Sequence, residues 1–371
     1  MKQFRLKTEI YEYNLCSEFC RSFGIGSGDL IISSGHIYGR YLKASAPEAA
    51  VVDIRKYGSG EPDDKLVEAA YRDIREIPFK RVIAVGGGSI LDVAKLFSLK
   101  RVAPVSELFQ HKIELIKEKE LVLVPTTCGT GSEVTNISIL GIASMNTKLG
   151  LAGDELFADQ AVLIPELLES LPALAFGASS ADALIHAVES GLSPRAGQFT
   201  WLYSGKAIEM ILEGYKVIAE NGFEASKPLL KDFLTASTYA GIAFGNAGVG
   251  AVHAMSYPLG SAFHIPHGES NYALFAGVLR MYEKLVPGGK MRRLQDLISD
   301  ILGCNYFSAF DELEALMSRI LPRRELRSYG VTESDLQDFT QSVMNKQGRL
   351  MANNYTELTK EHVYHIYKSV Y

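Results

Sequence analysis

The stretch RVIAVGGGSILDVAKLF, from Arg81 to Phe97, decides the fold class. Arg81–Val85 is a short apolar run of the kind that makes a buried strand, and it leads directly into Gly86, Gly87, Gly88 and Ser89. The residues that follow read as helix. Glycines let a backbone come close to a ligand, and the start of a helix offers unpaired N–H groups at the positive end of its dipole. That combination suits a pyrophosphate, which makes Gly86, Gly87, Gly88 and Ser89 candidate cofactor-binding residues. Asp92 joins them, expected in the first helical turn, where a carboxylate is favoured. The spacing is not G-x-G-x-x-G, so a tight turn without a ligand accounts for these residues equally well when they are taken alone.

Outward from this stretch the same alternation continues. On its N-terminal side come a β-like start (Gln3–Tyr13), a helix around Asn14–Phe23, and a strand at Leu30–Ser33. A helix-like segment at Ile37–Ala44, a strand at Ala49–Ile54 and the helical run KLVEAAYRDIRE follow. On the C-terminal side, Leu121–Val124 is a strand that ends at Pro125 and opens into Thr126-Thr127-Cys128-Gly129-Thr130-Gly131-Ser132-Glu133. Strands separated by helices predict a Rossmann-like, mainly parallel, doubly wound α/β sheet. In such sheets ligands sit beyond the carboxyl ends of strands. Thr126, Thr127, Thr130 and Ser132 place four hydroxyls there, and a second glycine-bearing loop tips the balance towards a dinucleotide site.

After a β-like patch (Ile137–Ser144), Lys148 and a last strand candidate (Ala161–Ile164), Pro165 and Pro172 mark a change of character. Helical segments dominate beyond them: Trp201–Ile218, Leu229–Phe244, Tyr272–Tyr282, Met291–Leu302, Phe310–Ile320 and the tail Thr359–Tyr371. The expected organisation is an α/β dinucleotide-binding domain over 1–170 and an all-α domain over 171–371. The second half carries ASSADALIHAVES, where Asp182 and His186 lie four residues apart on one helix face. It also carries GNAGVGAVHAMSYPLGSAFHIPHGE, with His253, His264 and His267. Any one of these histidines could be an ordinary hydrogen-bonded core residue. Four of the chain's eight within one stretch, in apolar small-residue settings where an ionisable group needs a partner, favour a divalent transition-metal site.

Composition narrows the classes further. The chain has 371 residues, 47% hydrophobic and 22% charged, which is ordinary for a globular protein of two domains. A net charge of −5, with no basic run interleaved with aromatics, argues against a nucleic-acid partner. No apolar run is long enough to span a membrane, and MKQFRLKTEIYEY does not read as a signal peptide, so the expected location is cytoplasmic. Cys16, Cys20, Cys128 and Cys304 suggest no disulfide framework.

Together the motifs resemble one family, the iron-dependent (group III) alcohol dehydrogenases. GGGSxxD at Gly86–Asp92, TTxGTGSE at Thr126–Glu133, DAxxHxxE at Asp182–Glu189 and the His-Gly pair at His267–Gly268 carry the resemblance, in order, over nearly the whole chain. It implies a nucleotide domain followed by a helical domain, with the active site in the cleft between them. It also implies a metal held by Asp182, His186, His253 and His267, the last two fourteen residues apart. Fe²⁺ suits such a set, and Zn²⁺ fits the same ligand types. Within the family, IKEKELVLVPTTCGTGSEVTNIS, YAGIAFGNAGVGAVHAMSYPLG and ANNYTELT are most similar to the branch acting on 4-hydroxybutyrate. That similarity implies reversible, NAD-linked interconversion of 4-hydroxybutyrate and succinate semialdehyde by direct hydride transfer. A small-molecule substrate and a homo-oligomer, at its simplest a dimer, are implied with it.

The chain also departs from the family's pattern. Many members carry a second histidine four residues after the third ligand, where this chain has Tyr257. A proton relay therefore falls to Tyr257, to His264, or to solvent beside His267. Members often end their second strand with an Asp beside the adenosine ribose. Here Ser33, Ser34 and Gly35 stand, followed by His36, which leaves NADP open beside NAD and makes Ser34 the cofactor-side candidate. Family logic places Lys148 near the cofactor. Glu189, one turn beyond His186, reads first as a solvated or capping carboxylate and second as a partner of a metal ligand. For the substrate carboxylate the candidates are Lys148, Arg195, Asn246, Asn353 and Asn354. The rival readings are a polyol dehydrogenase, a dehydroquinate synthase-like lyase, and a non-catalytic protein on the same fold. A lyase would need many basic groups around the metal stretch, which is poor in Lys and Arg.

Overall fold

Among the described residues eight strands, β1 (Glu9–Glu12), β2 (Asp29–Ser33), β3 (Ala50–Asp53), β4 (Arg81–Gly86), β5 (Glu120–Pro125), β6 (Ile137–Ile142), β7 (Thr147–Ala152) and β8 (Gln160–Leu163), form two sheets. The structure, a computed structural model, describes residues 3–58, 60–145 and 147–371. The larger sheet has the order β1-β8-β5-β4-β2-β3, with every pairing parallel. β2 and β5 carry LIIS and LVLVP, and with β4 they are buried almost throughout. Continuous apolar runs are what a parallel sheet covered on both faces requires. β1, with the sequence EIYE, is an exposed edge whose two glutamates discourage further pairing.

The strand order reverses between β2 and β4, since β3 lies outside β2 while β5 lies on the far side of β4. Ligand crevices of doubly wound sheets open at such a reversal, outside the carboxyl ends. β4 and β5 are in register up to Gly86 opposite Pro125, and Thr126 N–H donates to the Gly86 carbonyl at 3.0 Å. The two glycine-bearing loops therefore leave the sheet side by side.

The helix Gly88–Phe97 follows the first loop, and Asp92 lies in its second turn rather than its first. Its carboxylate accepts from Ser132 Oγ at 2.5 Å and from Ile139 N–H at 2.9 Å. Lys95, fully buried, donates to Ser132 Oγ (2.8 Å), Thr135 Oγ1 (3.2 Å), the Ile137 carbonyl (2.6 Å) and Asp92 (3.4 Å). Burial pushes the Lys95 ammonium below its usual range, against the pull of Asp92. This network fastens the segment after β5 onto the helix after β4. β6 and β7 form an antiparallel hairpin, of which the sequence pattern shows only the first strand.

The chain folds as two compact units. One is α/β and comprises residues 6–127 and 131–171; the other comprises residues 3–5, 128–130 and 172–371. The second unit is helical. At its centre Ala173–Leu192 is apolar on nearly all sides, as a helix surrounded by others must be. Gln198–Asn221, Leu230–Ala247 and His267–Leu285 pack against it. A side chain at Gly268 would run into the Ala178 carbonyl, so glycine is what lets His267–Leu285 cross the central helix. Two helices, Ala251–Phe263 and Glu333–Lys346, are not legible as helices in the sequence. The first contains Pro258 and is flanked by Gly248 and Gly250, which read as loop punctuation. Among the described residues no helix is long and apolar enough to cross a membrane.

Lys95→Met removes the cation of a buried network and leaves Asp92 short of a partner. It is expected to lower the free energy of unfolding by about 3–5 kcal/mol, read from denaturant titration. An unchanged midpoint would contradict the role given to Lys95.

Candidate functional site

Four side chains converge inside the helical unit. Asp182 and His186 come from one face of Ala173–Leu192, His253 from the first turn of Ala251–Phe263, and His267 from the first residue of His267–Leu285. Asp182, His186 and His253 offer ligand atoms all within 4.8 Å of one another, and all three are buried. His267 Nε2 stands 3.8 Å from Asp182 Oδ1 and His253 Nε2 3.7 Å from it. His267 is the most open of the four, its side chain 33% exposed against 3% for Asp182 and His253. The four residues that the resemblance implies as ligands thus lie together, His267 beside the cluster of the other three.

Each of two imidazoles is oriented through its outer nitrogen. His253 Nδ1 lies 2.5 Å from Glu189 Oε2, and Glu189 Oε1 accepts from Val252 N–H at 2.8 Å. Glu189 is buried, which corrects its first reading as a solvated carboxylate. His186 Nδ1 lies 3.3 Å from the Gly129 carbonyl. A Cβ on Gly129 would come within 2.8 Å of the Ser179 carbonyl oxygen, so glycine is what permits that approach. With both Nδ1 atoms engaged, His186 Nε2 and His253 Nε2 face each other at 2.9 Å. Two imidazole lone pairs at that distance, beside a buried carboxylate, fit a shared cation. Hydrogen-bonded outer nitrogens are the usual support of metal-ligating histidines.

The electrostatics differ from ring to ring. Burial, the largest influence, pushes the His186 imidazole down to about 3 and keeps it neutral, as a ligand must be. For His253 burial acts downwards too, but the Glu189 carboxylate outweighs it and holds the ring above its usual range. Asp182 would be raised by burial, yet the imidazoles of His186, His267 and His253 bring it below the ordinary carboxylate range.

Two residues of the site escape a reading of the sequence alone. Asn271, fully buried one turn after His267, donates from Nδ2 to Asp182 Oδ1 at 2.7 Å. The same nitrogen lies 3.1 Å from His253 Nε2 and 3.2 Å from His267 Nε2. Its i, i+4 spacing from His267 is the available signal. Phe244 escapes likewise, and it stacks on the His186 ring at 4.3 Å.

The remaining candidates are distributed as follows. Tyr257 sits one turn after His253 with its ring 6.1 Å from that of His267. His264 takes the left-handed conformation (φ 53°) that ends the same helix, and among the described residues no hydrogen bond or ring contact links it to the four ligands. In the α/β unit, Gly86 to Ser89 and Thr126 with Thr127 line the paired loop starts, where Gly87 packs near Thr127. Thr130 belongs to the helical unit. Asp92 and Ser132 are turned into the Lys95 network, Ser34 caps a short helix by accepting from Ile37 N–H, and Lys148 pairs with Glu61.

Comparison with known proteins bears on this arrangement. The family model for iron-containing alcohol dehydrogenase matches residues 14–165, and the C-terminal model of the same family matches residues 176–371. A curated 4-hydroxybutyrate dehydrogenase from Clostridium kluyveri is 44% identical over 371 residues, the full length of both chains. A long-chain-alcohol dehydrogenase from Geobacillus thermodenitrificans is 34% identical, over 84% of this chain and 80% of its own. Among solved structures, an iron-containing alcohol dehydrogenase from Thermococcus thioreducens superposes with a TM-score of 0.83 at 25% identity, covering 99% of each chain. A sulfoacetaldehyde reductase from Bifidobacterium kashiwanohense, solved with NAD⁺, superposes with a TM-score of 0.85 at 22% identity over 100% and 98% of the chains, a likeness of fold.

Replacing Glu189 by Gln keeps the shape but weakens the hold on His253 Nδ1. The expected result is a divalent-metal affinity lowered by about 10- to 100-fold in chelator competition, with the fold retained. An unchanged affinity would mean that Glu189 does not orient the ligand.

Proposed function

The chain belongs to the iron-containing alcohol dehydrogenase family, and on that premise we propose that it interconverts 4-hydroxybutyrate and succinate semialdehyde, with NAD as hydride carrier. The observation that carries the substrate is the 44% identity, over the whole length, to a relative named for that reaction. The chemistry rests on the four converging ligands.

Asp182, His186, His253 and His267 would hold the metal, Fe²⁺ by family and Zn²⁺ by ligand type as the alternative. When bound, that ion supplies Lewis acidity to the alcohol or carbonyl oxygen and the nicotinamide supplies or takes the hydride. The chain's own part is to hold, orient and shield. His267, the most exposed ligand, marks the side from which a substrate oxygen arrives. Tyr257 lies on that side and is our candidate to pass the proton between the substrate oxygen and solvent, with His264 further along as the other candidate. Phe244 holds the His186 ring by stacking and keeps water from that face. Gly86–Ser89 and Thr126–Thr127 bind the dinucleotide phosphates through backbone N–H groups and hydroxyls.

Two of the neutral candidates for the substrate carboxylate are committed elsewhere. Asn246 bonds the Arg5 backbone through both amide atoms, and Asn353 bonds the Ala247 and Val249 carbonyls. The side chains that brace the metal ligands, Glu189, Asn271 and Phe244, and the nearby Tyr257 include no Lys or Arg, which favours hydride transfer over a lyase acting on a phosphorylated substrate. A homo-oligomer and a cytoplasmic location belong to the same reading, and the four free cysteines suit a reducing compartment.

The test is anaerobic reduction of succinate semialdehyde by NADH after loading the protein with Fe²⁺. Turnover should disappear in His267→Ala and fall by about 10²-fold or more in Tyr257→Phe, the range expected for loss of a proton-transfer group. Reduction of another short aldehyde but not this one would overturn the substrate. No reduction of any aldehyde would overturn the activity.

A further inference from the structure

We propose that Asp53, a residue the sequence motifs do not include, sets the preference for NAD over NADP. The inference rests on the dehydrogenase reading and extends it to the nucleotide. With a pyrophosphate at Gly86–Ser89 and the second loop following β5, the adenosine half of a dinucleotide lies over the other side of the reversal, at the carboxyl ends of β2 and β3. Dinucleotide sites that select NAD place a carboxylate there, on the ribose 2′-hydroxyl. β2 brings none, since it runs out into Ser34, Gly35 and His36.

β3 brings one. Ser33 and Asp53 are paired in register as the last residues of the two strands. The Asp53 side chain leans across to its neighbour, so that a Cβ built on Gly35 would lie 2.8 Å from Asp53 Oδ2. The space that a side chain at position 35 would fill is thus taken by the carboxylate of position 53. Asp53 Oδ1 accepts from Arg55 N–H at 3.1 Å, which fixes the group and turns Oδ2 towards Gly35. Gly35 is exposed and Asp53 partly exposed, so the carboxylate is open to solvent at these strand ends. Ser34, which also stands at this edge, is buried and caps the next helix turn. A ribose bearing free hydroxyls would donate to Asp53, whereas a 2′-phosphate would meet a like charge.

The experiment is titration of the full-length protein with NADH and with NADPH, following nucleotide fluorescence, so that binding is read without turnover. Wild type should bind NADH at least tenfold more tightly than NADPH. Asp53→Ala should shrink that ratio by about 10- to 100-fold, the loss of a hydrogen bond to a charged group and of the repulsion together. Asp53→Asn, which keeps an acceptor for Arg55 N–H, should do the same if charge decides. Gly35→Asp added to Asp53→Ala should restore the preference by moving the carboxylate to β2. An unchanged ratio in both single variants would overturn the inference, as would a wild type without preference, and either result would leave the dehydrogenase reading intact. A wild type that binds neither nucleotide would overturn that reading and the inference with it.

Discussion

Two imidazole nitrogens, His186 Nε2 and His253 Nε2, face each other 2.9 Å apart in the interior of the helical unit, beside the buried carboxylate of Asp182. Burying polar and ionisable groups at such density is unfavourable unless each is paired. The surrounding structure supplies the pairing from behind. Glu189 holds one ring, the Gly129 carbonyl the other, and Asn271 holds the carboxylate. What remains is a set of lone pairs pointing inward, which a divalent cation satisfies. The glycines at 129 and 268 make sense in this light, because each allows a backbone approach that keeps one member of the set in place.

The task proposed for the α/β unit is a different one, that of presenting a backbone to phosphates. Parallel pairing of β4 and β5 brings two loops out at adjacent strand ends, and the bond from Thr126 to Gly86 ties their bases together. The buried Lys95 then clamps the distal part of the second loop to the helix that follows the first. Asp92 and Ser132, cofactor candidates by motif, spend their polar atoms on that clamp. On the proposed reading, their contribution to nucleotide binding is to fix loop shape.

Much of this is legible in the sequence, for physical reasons. Apolar runs ended by glycine mark the strands of the parallel sheet, because strands covered on both faces cannot alternate. The Asp182–His186 spacing reveals a helix face, and the resemblance joins it to His253 and His267. The parts that escape depend on contacts between residues far apart in sequence. Nothing local distinguishes Glu189 from a solvated carboxylate, since its burial depends on His253, 64 residues away. Asp53 stands outside every motif and matters only because β3 pairs with β2. The helix Ala251–Phe263 is hidden by Pro258 and its flanking glycines, whose local preference the surrounding packing overrides.

The central claim is that Asp182, His186, His253 and His267 form a metal centre, and X-ray absorption of the Fe²⁺-loaded protein tests it most directly. The account predicts one iron per chain, with nitrogen and oxygen neighbours only and the multiple-scattering pattern of three imidazoles. A sulfur neighbour, or iron bound well below one per chain, would contradict it.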